Sequence, residues 1–262
     1  MSSGVKKAAG CGCGAVLAVI MVISFVGWAL SFMDGAAPIR QLQPIPDNVP
    51  PAAGEAVPQI DIHAQGRTSD QLKFWSDPIA VDTGVTSQAI AAYGNAALIA
   101  AESWPECGIN WTTLAGIGYV ETRHGTYSGK LFGGSSLDEA GVATPTIVGI
   151  PLDGSPGVAR IADTDGGRLD GDTQFDRAVG PMQFIPESWQ RYGRDANGDG
   201  YADPHQIDDA ALGSAHLLCT SGGDLSTPEG WTRALHAYNM SNEYLINVRD
   251  AAASYALRQP AI

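Results

Sequence analysis

The chain has 262 residues, 44% of them hydrophobic, and a formal net charge of −13 from 15 Lys+Arg against 28 Asp+Glu. Such an acid excess excludes the broad basic face that nucleic acid binding requires, so any attraction to an anionic polymer has to come from local groups. The length is enough for one cored domain with additional segments at its ends.

Lys6 and Lys7 precede an apolar, uncharged run over residues 14–33. At helical rise this run is long enough to span a bilayer, and the flanking lysines favour an inside N-terminus. The expected organisation is a cytoplasmic tail over 1–13 and a single transmembrane helix over 14–33. A secretory signal peptide is the alternative; its cleavage site would fall near Gly35-Ala36-Ala37, where Pro38 follows at once and hinders processing. Residues 34–66 carry Pro38, Pro44, Pro46, Pro50, Pro51 and Pro58 without a sustained period, and predict an extended linker able to reach up to roughly 100 Å. A catalytic domain is expected over 67–262.

Within that domain, residues 86–102 place Ile90, Tyr93, Ala97 and Ala101 at helical spacing, predicting a helix that tolerates Gly94. The next predicted helix starts at Asn110 as cap and ends its last turn at Gly125, with Leu114, Ile117, Gly118 and Glu121 on one face. A carboxylate on an apolar stripe is either satisfied by a neighbour such as Arg123 or pushed toward neutral pKa by burial, as a general acid requires. Two β-branched pieces, 146–150 and 158–161, flank the turn-forming run 151–157 and predict a small β-hairpin. Helices follow over 186–192, 208–218, 227–238 and 242–256.

Three ordered segments carry a resemblance. They are Glu121-Thr-Arg-His-Gly125, Ala178-Val-Gly-Pro-Met-Gln183 continuing to Trp189, and Ala237-Tyr238-Asn239 continuing to Tyr244. Together, across about 72–255, they resemble the lytic murein transglycosylases of the lysozyme-like superfamily. The similarity is strongest to the B-type membrane-bound branch in an actinobacterial-style, single-pass anchored form. The resemblance implies a mainly α, α+β lysozyme-like fold with peptidoglycan glycan strands as substrate. It also implies Glu121 as the sole catalytic acid/base, with Gln183, Tyr238 and Asn239 in the sugar cleft and the Tyr238 phenol orienting Glu121. No cofactor is expected for catalysis. Such an enzyme cuts between N-acetylmuramic acid and N-acetylglucosamine and leaves a 1,6-anhydromuramic end. A hydrolytic muramidase, with Asp163, Asp165 or Asp176 positioning water, and a non-catalytic wall-binding or scaffold module are the rival readings.

The loop from Asp195 through Asn197, Asp199, Gly200, Tyr201 and Asp203 fits the first part of an EF-hand, with oxygen donors at positions 1, 3, 5 and 9 and glycine at 6. Gln206 stands where the bidentate Glu belongs, so Asp208 or Asp209 would close the site. The resembled branch carries calcium here, and the expected ligands of a structural Ca2+ are Asp195, Asn197, Asp199, the Tyr201 carbonyl and Asp209 or Asp208. The alternative is an Asx-rich surface turn. The run 163–172 reads as a solvated turn, a second cation site or part of the cleft, with Asp176 and Arg177 pairing. Cys11 and Cys13 precede the apolar run. Cys107 and Cys219 lie on the exported side, where an oxidising compartment favours a disulfide closing about 110 residues, worth on the order of 4 to 5 kcal/mol by chain entropy. The five histidines show no zinc spacing.

Overall fold

The structure is a computed structural model that describes residues 41–127 and 134–262. The chain divides into Met1–Gln43 and Pro44–Ile262, and the second unit carries every helix and strand among the described residues. The expected anchor at 14–33 lies outside the described residues, among which no helix is long and apolar enough to cross a membrane.

Seven α-helices form the described frame: α1 Lys73–Thr83, α2 Ser87–Ser103, α3 Trp111–Thr122, α4 Pro186–Tyr192, α5 Ile207–Gly222, α6 Pro228–Tyr238 and α7 Asn242–Ala256. The helices expected at 186–192 and 242–256 have the anticipated bounds, and α5 runs longer than its pattern at both ends. Its early start comes from Gln206, whose side chain accepts from the Asp209 amide and so caps the helix. α2 starts the same way, with Thr86 accepting from Ala89. α1 has no counterpart among the expected helices; Pro78 interrupts its pattern.

α2 lies against α5, α5 against α6, and α3 against α7. Ile90, Tyr93, Leu114, Ile117, Met182, Leu218, Trp231 and Leu235 form the buried centre between these helices. Nearly all of α3 is enclosed up to Gly118, so Glu121 belongs to the half-open last turn of an otherwise buried helix rather than to one apolar stripe. At Gly118 an added Cβ would meet the Tyr93 hydroxyl at 2.1 Å, so glycine is what lets that phenol approach the helix.

The β structure differs from the single hairpin expected. β1 Ser136–Leu137 pairs antiparallel with β2 Ala143–Thr144, and β3 Val148–Pro151 pairs antiparallel with β4 Arg177–Val179. Segment 158–161 is not a strand; it folds back through one bridge, Asp153 to Arg160, and the Ile161 amide donates to Leu152. The run 151–157 does turn the chain, but β3 takes as its ladder partner a segment distant in sequence, and local composition does not encode that choice.

The linker expectation also changes. Residues 44–66 lack regular structure, yet Val49, Val57 and Ile60 pack on the core. Trp111 Nε1 donates to the Glu55 carbonyl at 2.9 Å and Thr112 Oγ1 to the Ala52 carbonyl at 3.2 Å. Prolines that prevent helix and sheet do not prevent docking. Cys107 and Cys219 are joined, with Cα atoms 5.1 Å apart and 112 residues of separation. The bridge ties the entry of α3 to α5.

Candidate active site

Glu121 occupies the final turn of α3, half-buried. Burial raises its carboxyl from the ordinary range to about 7, and a hydrogen bond from Tyr244 works in the opposite direction. That bond runs from Tyr244 Oη to Glu121 Oε1 at 2.7 Å. Tyr244 is set in the first turn of α7, where the Ser241 hydroxyl caps the helix by accepting the Tyr244 amide at 3.3 Å. The packing of α3 on α7 therefore brings together two residues 123 positions apart.

Tyr238 was expected to orient Glu121 and does not bond to it. Its hydroxyl donates to the Met182 carbonyl at 2.7 Å and lies 3.1 Å from Ser214 Oγ. Its ring stacks on Tyr244, with centroids 6.2 Å apart and planes 11° from parallel. Burial lifts both phenols well above their ordinary pKa, and the charge of Glu121 adds to the effect on each. Tyr238 is therefore the backing of the corner, and Tyr244 is the residue in contact with the acid. Tyr244 closes the third motif, but sequence spacing cannot tell which of two tyrosines six positions apart turns inward.

Gln183 sits in a left-handed conformation at φ 50°, its Nε2 donating to the Gly180 carbonyl at 3.0 Å. Thr122, the neighbour of Glu121, donates its hydroxyl to the Pro181 carbonyl at 2.6 Å, and Tyr238 holds the Met182 carbonyl on the other side. The turn 180–183 is thereby clamped to the end of α3. Gly180, at φ 75°, is required there, because a Cβ would fall 1.8 Å from the Pro204 carbonyl oxygen. Asn239 is exposed and accepts the Ser241 amide at 3.0 Å, making the turn that connects α6 to α7.

The end of α3 is unusual. Asn110 holds the N-cap position without a side-chain cap bond, and the helix is terminated by Arg123 rather than Gly125. Arg123 and His124 are both left-handed, at φ 52° and 61°, a conformation non-glycine residues adopt only when the surroundings impose it. His124 supplies that constraint. Fully enclosed, it lies between the hydroxyls of Tyr93, 3.1 Å from Nδ1, and Tyr255, 2.8 Å from Nε2. Burial, then the nearby Arg123 charge, lowers its pKa to about 3, so the ring is neutral.

The acidic segments are organised by their own backbone. In the Asp195 loop, Asp195 accepts the Gly198 and Gly200 amides at 2.7 and 2.8 Å, Asn197 accepts Asp199 at 2.9 Å, and Asp199 accepts Tyr201 at 2.8 Å. Asp209 faces this loop, accepting the amides of Ala196, Asn197 and Asp203. Asp208 does not: fully buried, it pairs with Arg67 at 2.7 Å and accepts from Gln206 at 2.7 Å. Of the two alternatives for closing the loop, Asp208 is thus removed, since α5 turns successive side chains about 100° apart. Asp163, Asp165 and Asp176 bring carboxylate oxygens within 4.8 Å of one another. Asp176 accepts from the Thr164 amide and hydroxyl, whereas Arg177 pairs with Asp172 at 2.8 Å, so the expected Asp176–Arg177 pair is absent. Asp163 takes the amides of Asp165, Gly166 and Gly167. These bonds hold the loop's shape.

Residues 174–242 match the protein family described as the Transglycosylase SLT domain. The matched stretch contains Gln183, Tyr238 and Asn239 and stops short of both Glu121 and Tyr244. No curated protein matches the chain. Among solved structures, the Escherichia coli lytic transglycosylase Slt35 in complex with bulgecin A is similar at 14% identity and a TM-score of 0.42, covering 87% of this chain and 82% of that one.

Proposed function

We propose that this protein is a lytic transglycosylase of peptidoglycan, cleaving between N-acetylmuramic acid and N-acetylglucosamine with Glu121 as its single acid/base. The Transglycosylase SLT match over 174–242 supports the activity class. The observation that carries the residue assignment is the half-buried Glu121 carboxyl, held at one oxygen by Tyr244. With Oε1 occupied as an acceptor, Oε2 is the oxygen left for the reaction. The protonated carboxyl gives its proton to the glycosidic oxygen as the bond to the anomeric carbon breaks. The carboxylate, stabilised by the Tyr244 hydroxyl, then takes the proton of the muramic 6-hydroxyl while that oxygen bonds to the anomeric carbon. No water is consumed, and a 1,6-anhydro ring results. A carboxyl near pKa 7 serves both halves at neutral pH. Gln183 and Asn239 offer amides for sugar hydroxyl and acetamido groups, and Tyr238 supports the wall behind Tyr244.

In this reading the expected helix at 14–33 anchors the enzyme in a bacterial membrane with the domain on the extracytoplasmic side. The Asp195 loop would hold a structural calcium ion through Asp195, Asn197, Asp199, the Tyr201 carbonyl and Asp209: its side-chain donors are oxygens, suited to a hard cation, and Asp209 faces the loop from α5, accepting the Ala196 amide. No step of the cleavage passes through that ion. Mass spectrometry of peptidoglycan digested by the protein tests the reading. Anhydromuramic ends that disappear with Glu121→Gln are expected; reducing ends would mean hydrolysis, and no new ends a binding module.

A further inference from the structure

Three tyrosine hydroxyls converge on the end of α3: Tyr244 on Glu121, and Tyr93 and Tyr255 on His124. Tyr93 comes from α2, whereas Tyr244 and Tyr255 come from opposite ends of α7. α7 therefore grips the end of α3 at two points three residues apart, and α2 adds a hold on the same imidazole. The two helices cross closely, since a Cβ at Gly116 would fall 2.6 Å from the Val248 carbonyl oxygen.

His124 ties these holds to the helix. Its amide donates to the Gly118 carbonyl at 2.8 Å, and the Arg123 amide donates to the Tyr119 carbonyl at 3.1 Å, so the left-handed pair closes α3 directly beneath Glu121. Gly118 is also where the imidazole cluster meets the helix wall: a Cβ there would lie 2.1 Å from the Tyr93 hydroxyl and 3.3 Å from His124 Nδ1. Gly118 and Glu121 are three residues apart, about 60° around the helix axis. The imidazole and the Tyr93 hydroxyl thus underlie the acid on its own side of α3. A neutral imidazole has one N–H and one bare nitrogen, and a phenol either donates or accepts, so the ring satisfies both tyrosines at once. Two successive non-glycine residues in the left-handed region cost free energy, and the buried hydrogen bonds of His124 offset it.

We propose that His124 is a positioning residue: held between the Tyr93 and Tyr255 hydroxyls, it locks the left-handed exit of α3 and thereby keeps Glu121 in its enclosed place against Tyr244. His124 acts through Glu121 and touches no substrate. Its importance for cleavage rests on the glycan-cleaving reading above. Without the clamp the last turn of α3 relaxes, and Glu121 turns toward solvent, losing the enclosure that holds its proton to neutral pH.

Two variants of the whole chain separate the clamp from the backbone beneath it. Tyr255→Phe removes the hydroxyl at Nε2 and keeps the ring, and His124→Asn keeps a residue that tolerates the left-handed backbone but is too short to span both phenols. Each is read well below its melting midpoint. Titration of the Glu121 carboxyl by carbon-13 NMR, which requires no turnover, should show its midpoint falling by about one unit in each variant as burial is lost. On peptidoglycan, kcat should fall roughly tenfold with KM within about twofold of wild type, and the alkaline limb of kcat should move down with the carboxyl. A lower melting midpoint with an unmoved Glu121 titration makes the clamp structural only and overturns the proposal, as does a rise in KM with kcat unchanged. Wild-type protein that releases no anhydro ends removes the glycan-cleaving reading instead, while the Glu121 titration still decides whether His124 holds that carboxyl in place.

Discussion

Glu121 and Asp172 carry the same functional group and respond to the fold in opposite ways. Asp172 accepts the amides of Gln174 and Phe175 and pairs with Arg177, which hold its carboxyl below the ordinary range. Glu121 receives one hydroxyl donor and is otherwise governed by burial, which lifts it to about 7. A loop supplies amides to its carboxylates because its backbone has no ladder to satisfy. A helix has already spent its amides, so a carboxyl on its buried side meets mostly desolvation. In this chain the amides around Asp172 make it scaffolding by that criterion, whereas Glu121 at the α3–α7 corner is a carboxyl able to exchange a proton near neutral pH.

The most severe way to break the contrast is Glu121→Gln. The amide keeps the shape and the Tyr244 bond but cannot carry a proton, and because in the proposed mechanism one residue serves both halves of the reaction, anhydro product should fall by more than the ~10²- to 10⁴-fold of a single proton transfer. The same variant has a stability signature. A carboxyl whose folded pKa of about 7 exceeds its unfolded value penalises the fold as pH rises from about 4.5 through 7. Removing it should stabilise the domain by about 1–3 kcal/mol at pH 8 and by almost nothing at pH 4, measured by denaturant melts at both pH values.

Tyr244→Phe and Tyr238→Phe sharpen the comparison, since their rings stack and only one hydroxyl reaches Glu121. Loss of the Tyr244 hydroxyl withdraws the influence that lowers the Glu121 pKa. The alkaline limb of kcat against pH should therefore move upward, with kcat down roughly tenfold. Tyr238→Phe should leave that limb where it is and lower thermal stability instead, by about 1 kcal/mol for its bonds to Met182 and Ser214. An alkaline limb that moves equally in both variants would dissolve the distinction between contact and backing.

Reduction of Cys107–Cys219 should bring an earlier melt in differential scanning calorimetry, as a loop of 112 residues constrains the unfolded chain by on the order of 4 kcal/mol. The smallest expected effect is calcium. It should raise the melting midpoint of the wild type by mass action and do so less in Asp209→Asn. An unchanged wild-type midpoint with and without chelator removes the calcium loop.

Much of the frame is legible along the chain. Periodicity marks α2 and α7 to within a residue or two, Pro186 and the Thr227–Pro228 pair mark the starts of α4 and α6, and Glu121 stands out as a charge among apolar neighbours. The site is less so. Tyr244 rather than Tyr238 on Glu121, Asp209 rather than Asp208 at the loop, and β4 rather than 158–161 beside β3 are choices between near-equivalent residues. Each is decided by an element far away in sequence: α7 crossing α3, Arg67 claiming Asp208 across 141 positions, and the 177–179 segment reaching β3. Residues 44–66 behave alike, since their prolines rule out regular structure but have no bearing on whether Val49, Val57 and Ile60 dock.

Sequence by itself determined where α2, α4, α6 and α7 begin and end to within a residue or two and which carboxylate was out of place, because capping, period and side-chain polarity act within a few residues. Tertiary structure alone decided which hydroxyl meets that carboxylate and that Arg123 and His124 take a left-handed turn beside it. Those outcomes depend on close packing between surfaces more than a hundred residues apart, where a shift of one helical position exchanges one partner for another.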